Sequence, residues 1–212
     1  MKDSAKTIIF AAVLGLVCAF LLSAVSRFTK PYREANEKAE EVKNFLEALE
    51  VPVEKDAGSE KLLELFNKYI TIKELKGYSL YEFIPEGEAR PVAVAIPISG
   101  AGLWGHINGV IALEPDLETI RGLRFYQQEE TPGLYGEIGS QWFQKQFEGK
   151  KIVSTSGEPG FRIIKPGSEN NPDRIQNAVD GITGATMTSD RVEEILDRFA
   201  KNFREVRADY VR

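Results

Sequence analysis

One cysteine, Cys18, and one histidine, His106, stand among 212 residues. A lone cysteine excludes an intrachain disulfide and a cysteine-rich metal site, and it leaves the redox compartment open. A lone histidine argues against His-clustered metal sites and His-based triads, and by itself it reads as a surface or strand residue. Basic residues are neither in excess nor gathered. Lys and Arg number 27 against 32 Asp and Glu, the net charge is −5, and no Lys/Arg run occurs. A nucleic-acid partner is therefore not expected. Internal repeats and low-complexity tracts are also missing. The remainder, 42% hydrophobic and 28% charged, is ordinary for one sizeable folded domain with room for an appendage.

The run "TIIFAAVLGLVCAFLLSAVS", Thr7 to Ser26, carries no charged residue. At helical rise it spans about 30 Å, the thickness of a bilayer core. A cleaved signal peptide is the alternative, since Lys2 and Lys6 precede the run. Two features favour a retained anchor. The apolar run is longer than a usual signal core, and from Arg27 onward the sequence continues as helix. Arg27, Lys30 and Arg33 nearly balance the basic residues on the other side, so the positive-inside rule does not decide orientation.

Beyond the span, "PYREANEKAEEVKNFLEALE" places Ala35, Ala39, Val42, Leu46 and Leu49 at helical spacing, as a stalk that docks on a domain. Pro52 and Gly58 break it, and "SEKLLELFNKYI" reads as a second amphipathic helix. From Gly77 the pattern changes. "YSLYEFI", "PVAVAIPIS", "HINGVIALEP" and "ETIRGLRFYQ" are short, rich in β-branched and aromatic residues, and too closely spaced for crossover helices. They predict an antiparallel sheet. "EIGSQWFQKQFEGK" reads as helix and "GFRIIKP" as strand. "SDRVEEILDRFAKNFREV" gathers Val192, Ile195, Leu196, Phe199, Phe203 and Val206 on one helical face. The expected fold is α+β, an antiparallel sheet flanked by helices, with one N-terminal transmembrane helix. The expected organisation is a short tail at 1–6, the span at 7–26, a helical stalk and docking region at 27–76, and the main domain at 77–212.

"GAGLWG", Gly100 to Gly105, matches G-x-G-x-x-G and follows a strand. A dinucleotide fingerprint must open a helix, whose N-terminus holds the pyrophosphate. Here strand-like sequence follows, so a dinucleotide site is rejected. The stretch reads as a Gly-rich connection between strands. Its glycines would also let backbone approach a flat ligand, with Trp104 packed nearby.

"DGITGATMTSD", Asp180 to Asp190, leads into the closing helix. Asp190 and Glu193 have capping-box spacing, which predicts a helix start close to Asp190. The turn before it would present unpaired backbone N–H groups, favourable for an anion such as phosphate. A threonine there could contact a phosphate or become esterified to one by a separate enzyme. A plain capped helix entry is the alternative.

"DGITGATMT" resembles the flavinylation motif Asp-x-x-(Ser/Thr)-Gly-Ala-Thr of bacterial FMN-binding domains. "EETPGLYGEI" resembles a second segment of that family, Glu-Thr-Pro-Gly-Leu. "GLWGHINGVIALEPDL" is similar to the NqrC branch of the family, from the sodium-pumping NADH:quinone oxidoreductases, more than to the RnfG branch of Rnf complexes. The resemblance covers almost the whole chain. Tyr135 departs from it, standing where the family has glycine.

The resemblance implies that residues 77–212 form an FMN-binding domain, with FMN esterified to Thr186 by a flavin transferase of the ApbE type. Thr183, Gly184 and Ala185 would complete the attachment turn. Thr131, Gly133 and Leu134 would flank the ring, with Pro132–Gly133 in a tight turn. Glu130 would accept from a backbone amide or a ring N–H, or else stand as a solvated carboxylate. Lys165 would neutralise the phosphate or the reduced flavin, or else be an ordinary surface lysine. Trp104 would pack near the ring. No residue reads as a substrate acid–base catalyst. The implied role is an electron carrier among the other subunits of a membrane oxidoreductase. It would sit in a bacterial inner membrane with its soluble part outside the cytoplasm. A stand-alone flavin reductase and a non-redox anion-binding module are the other classes considered.

Overall fold

The computed structural model describes residues 2–54, 57–133, 135–166 and 176–210. Five consecutive strands form one antiparallel sheet in chain order: β1 (Ile70–Leu75), β2 (Tyr78–Phe83), β3 (Ala93–Ala101), β4 (His106–Leu113) and β5 (Ile120–Gln127). Strand β3 shows how this sheet serves two cores. Its side chains alternate, with Val94, Ile96 and Ile98 joining one buried cluster and Ala93 and Ala95 the other. A strand's two-residue period makes that division unavoidable once both faces are covered.

Helix α4 (Thr186–Tyr210) covers the first face. Val192, Ile195, Leu196, Phe199, Phe203 and Val206, which sequence spacing placed on one side, are all buried there. Full burial of each large apolar side chain contributes about 1.5–3 kcal/mol, so this stripe is what fixes α4. The end of helix α1 (Lys2–Ala48) and helix α2 (Ser59–Tyr69) supply the second cluster, through Val42, Phe45, Leu46 and Leu62, with Leu49 just past the end of α1.

Small residues on the sheet let α1 come close. A Cβ at Gly122 would collide with the Ala48 carbonyl oxygen, which is backbone and has no rotamer with which to yield. Gly122→Ala is therefore expected to lower stability by about 1–3 kcal/mol, the usual cost of overpacking. Urea denaturation of the detergent-solubilised chain measures it.

Tyr126, half-buried beside Phe45, has its phenol pushed up to about 12, first by burial and then by Glu41 and Tyr81 nearby. The unfolded chain would lose that proton near pH 10 while the folded chain retains it. This contribution to stability is therefore complete below about pH 10 and is lost as pH rises towards about 12. Tyr126→Phe is expected to flatten that part of the alkaline stability profile.

Several elements differ from the expectation. Residues 70–75, read within the helical 27–76 region, form β1, and β1 joins the sheet. The helix expected over 137–150 is shorter: a 3-10 turn at Tyr135–Gly139, then α3 (Gln141–Lys145), whose first turn is capped by Ser140 Oγ accepting from the Phe143 N–H. The strand expected in "GFRIIKP" is β6 (Arg162–Ile164). It pairs in parallel with β7 (Ala178–Asp180) in a separate two-stranded sheet. Backbone proximity divides the chain into Met1–Ala39 and Glu40–Arg212. The first unit is helical and exposes its large apolar side chains, Ile8 to Val25. By length and composition α1 is sufficient to cross a membrane.

Candidate functional site

The final helix starts at Thr186, not at Asp190. The expected capping box does not form, because Glu193 is used elsewhere. Its two oxygens accept from the Arg162 guanidinium at 2.6 Å and from the Ile163 N–H at 2.7 Å, tying α4 to β6. Arg162 is held above the ordinary guanidinium value by this hydrogen bond and by the charge of Glu193. The Ser189 N–H donates to the Ala185 carbonyl at 3.0 Å, which makes Ala185 the capping position. Alanine has no side-chain acceptor, so the first-turn N–H groups receive no cap from it.

The turn before the helix is built for this entry. Gly184 has φ +83°, in the left-handed region that glycine occupies without penalty. The Ala185 N–H donates to the Ile182 carbonyl, and the Ile182 N–H donates to Ser189 Oγ at 3.3 Å. Upstream, the Gln146 side chain bonds both the N–H and the carbonyl of Asp180, at 3.0 and 3.1 Å. Asp180 is thereby anchored where β7 hands over to the turn.

A cavity of about 540 Å³ opens beside this turn, within the range of ligand sites. Thr183, Gly184, Thr186 and Lys165 line it, with Ile163, Ile164, Pro166 and Ile182 as apolar wall and Ser189 and Asp190 as further polar lining. Thr183 and Thr186 are exposed; Ala185 is fully buried beneath them. An exposed hydroxyl at a helix start, a lysine and an apolar wall fit a phosphate joined to a flat ring.

Thr188 is oriented differently. Two residues along a helix is a rotation of about 200°, so Thr188 faces away from Thr186. Its side chain is buried, and its hydroxyl donates to Glu130 Oε2 at 2.7 Å. Glu130 is only 4% exposed, so it is no solvated strand-end carboxylate. Its Oε1 accepts from the backbone N–H of Leu103 at 2.8 Å and of Trp104 at 3.1 Å.

The Glu130 contacts bring the three sequence segments together. "GAGLWG" joins β3 to β4 as a tight connection, with the Gly102 N–H donating to the Gly105 carbonyl at 2.7 Å. It opens no helix, in keeping with the rejected dinucleotide reading. A Cβ at Gly102 would stand 2.5 Å from Glu130 Oε1, so this glycine is required by the carboxylate behind it. The Trp104 ring is 68% exposed. Thr131 and Gly133 lie on the exposed loop after Glu130, Gly133 with φ +72° in the Pro132–Gly133 turn. Leu134 lies outside the described residues. Trp104, Glu130, Thr131 and Gly133 do not line the cavity. Ser189 and the Ile163–Ile164 wall were missed in sequence; nothing local marks them, since their role arises from packing between distant segments.

Comparison with known proteins gives the same family. The FMN-binding domain family matches residues 102–201. The NqrC protein of the Na(+)-translocating NADH-quinone reductase of Vibrio campbellii is 26% identical over 244 aligned positions, covering 92% of this chain and 90% of that protein. Its counterpart in Pseudomonas aeruginosa is 32% identical over 142 positions, 67% of this chain and 54% of that one. The crystal structure of the corresponding reductase subunit from Parabacteroides distasonis superposes with a TM-score of 0.70 at 28% identity, covering 84% of this chain and 96% of that one. The fold is also that of NqrC from Shewanella oneidensis, at a TM-score of 0.66 and 21% identity. Residues 102–201 thus match the FMN-binding domain family, and along 92% of its length the chain is NqrC-like.

Proposed function

We propose that this chain is the membrane-anchored electron-carrier subunit of a sodium-translocating NADH:quinone oxidoreductase, with FMN joined to Thr186 through a phosphoester. The observation that carries the reading is the exposed Thr186 at the start of α4, beside a ligand-sized cavity. The likeness to the NqrC proteins of such reductases supports the assembly.

Attachment converts the Thr186 hydroxyl into an ester. A P–O bond forms to Thr186 Oγ1, the diphosphate bond of FAD breaks, AMP leaves, and the hydroxyl proton passes to a transferase of the ApbE type. The resulting phosphodiester retains one negative charge, which suits the first-turn amides and the helix dipole. Lys165 adds a cation to the same lining. Ile163, Ile164 and Ile182 exclude water from one side of the cavity. When bound, the flavin supplies the redox chemistry, and the protein sets its position and surroundings. In this reading partners on either side deliver and remove the electrons. α1 keeps the carrier beside membrane subunits, in the inner membrane of a bacterium with its soluble part outside the cytoplasm.

The test is affinity purification of the full chain from its native membranes. Co-purifying quinone-reductase subunits, and flavin that bleaches on addition of NADH, are expected. Purified alone, the loaded chain is expected not to oxidise NADH with small acceptors. Turnover by the isolated chain would instead make it a reductase in its own right.

A further inference from the structure

We propose that Glu130 is a positioning residue. Through the Thr188 hydroxyl it locks the first turn of α4, which begins at Thr186 and lines the cavity, to the Leu103–Trp104 connection between β3 and β4, and so holds the attachment point in place relative to the sheet. The cofactor part of this inference rests on the function proposed above. The lock itself rests on three hydrogen bonds into one carboxylate: Leu103 N–H at 2.8 Å, Trp104 N–H at 3.1 Å and Thr188 hydroxyl at 2.7 Å.

Each segment contributes something the others lack. Glu130 is 58 residues from Thr188 and 27 from Leu103, so no local chain constraint brings them together. All three partners are donors, so the carboxylate serves purely as acceptor and uses both oxygens. Thr188 is fully buried and Glu130 nearly so. Water cannot readily replace a lost partner there, which makes the geometry exacting. Gly102 leaves the space that Glu130 Oε1 occupies. Glu130 is itself held, its N–H donating to Gln128 Oε1 at 2.6 Å. The exposed Trp104 ring is thus carried on backbone whose two amides are pinned to the same helical turn that begins with Thr186. The lock also gives Thr188 a function that withholds its hydroxyl from modification.

Thr188→Val keeps shape and removes the hydroxyl; Thr188→Ser keeps the hydroxyl. Hydrogen exchange at single-amide resolution on the full chain, without flavin, reads the lock directly. In Thr188→Val the Leu103 and Trp104 amides are expected to exchange about tenfold faster, the effect of one lost hydrogen bond. Val110 and Ile111 in β4 should keep their wild-type rates, and Thr188→Ser should restore the wild-type pattern. Unchanged rates at Leu103 and Trp104 in Thr188→Val overturn the lock. So does a uniform acceleration that includes Val110 and Ile111, or a serine variant that behaves like valine.

The second arm uses chain coexpressed with a flavin transferase and records visible circular dichroism of the bound flavin. Thr188→Val is expected to alter the flavin signal and Thr188→Ser to return it. An unaltered signal, with the two amides freed, overturns the cofactor-positioning role. If the amides respond but wild-type chain takes no flavin, the lock stands and the proposed function falls.

Discussion

Thr186→Ala is expected to abolish flavin attachment while leaving the fold intact. The side chain is exposed at the first position of α4, where substitutions usually change stability by about 0.5 kcal/mol or less. In the proposed attachment this hydroxyl forms the ester, so the expected loss of label is all or none. Thr183→Ala and Thr188→Ala serve as neighbours of the same type. Thr183 is exposed and lines the same cavity, so exposure alone does not separate it from Thr186. Position does: Thr183 precedes the left-handed Gly184, whereas Thr186 presents its hydroxyl at the helix start. Both neighbouring variants are expected to retain label, reduced where the transferase reads the surrounding turn. Coexpression with a flavin transferase, followed by flavin fluorescence after denaturing electrophoresis, makes the comparison.

Glu130→Ala is expected to have the largest effect on stability of any change at the site. It removes the acceptor for two backbone amides and a buried hydroxyl at once. The buried Thr188 hydroxyl left without a partner costs about 1–3 kcal/mol and the two part-buried amide bonds about 0.5–1.5 kcal/mol each, so the combined loss is about 2–6 kcal/mol. Glu130→Gln retains one acceptor oxygen and should lose much less. Chemical denaturation of wild type and both variants gives the ordering. Equal losses for alanine and glutamine would mean that the carboxylate's acceptor role is unimportant.

The four strands β2 to β5 were legible because β-branched residues recur between Gly and Pro breaks. The α4 stripe was legible for the corresponding helical reason. What escaped had specific causes. Strand β1 follows α2 without a break and carries little alternation, four of its six residues being exposed in a row, so helical sequence read straight into it. Strand β7 is three residues long, too short to display a period. In α3 the Gly139–Ser140 pair interrupts what looked like one helix, because Ser140 caps the turn at Phe143.

The start of α4 was misread for another reason. Asp190 and Glu193 have the spacing of a local cap, but Glu193 is taken by Arg162 and the Ile163 amide from β6. A tertiary contact outweighed a local pattern. The site divided in the same way. The Thr183–Thr186 turn could be singled out from its own residues, whereas the bonds from Glu130 to Leu103, Trp104 and Thr188 cross long stretches of chain. A backbone amide was one of the partners that sequence offered for Glu130; only the fold shows which amides, and that Thr188 is the third partner.

The most direct measurement is tandem mass spectrometry of the wild-type chain after coexpression with a flavin transferase. The expected result is the mass of one FMN, less water, on the peptide spanning "DGITGATMTSD", with fragment ions that place it on Thr186 alone. Flavin on Thr183 or Thr188, or a chain that remains unmodified beside an active transferase, would contradict the assignment.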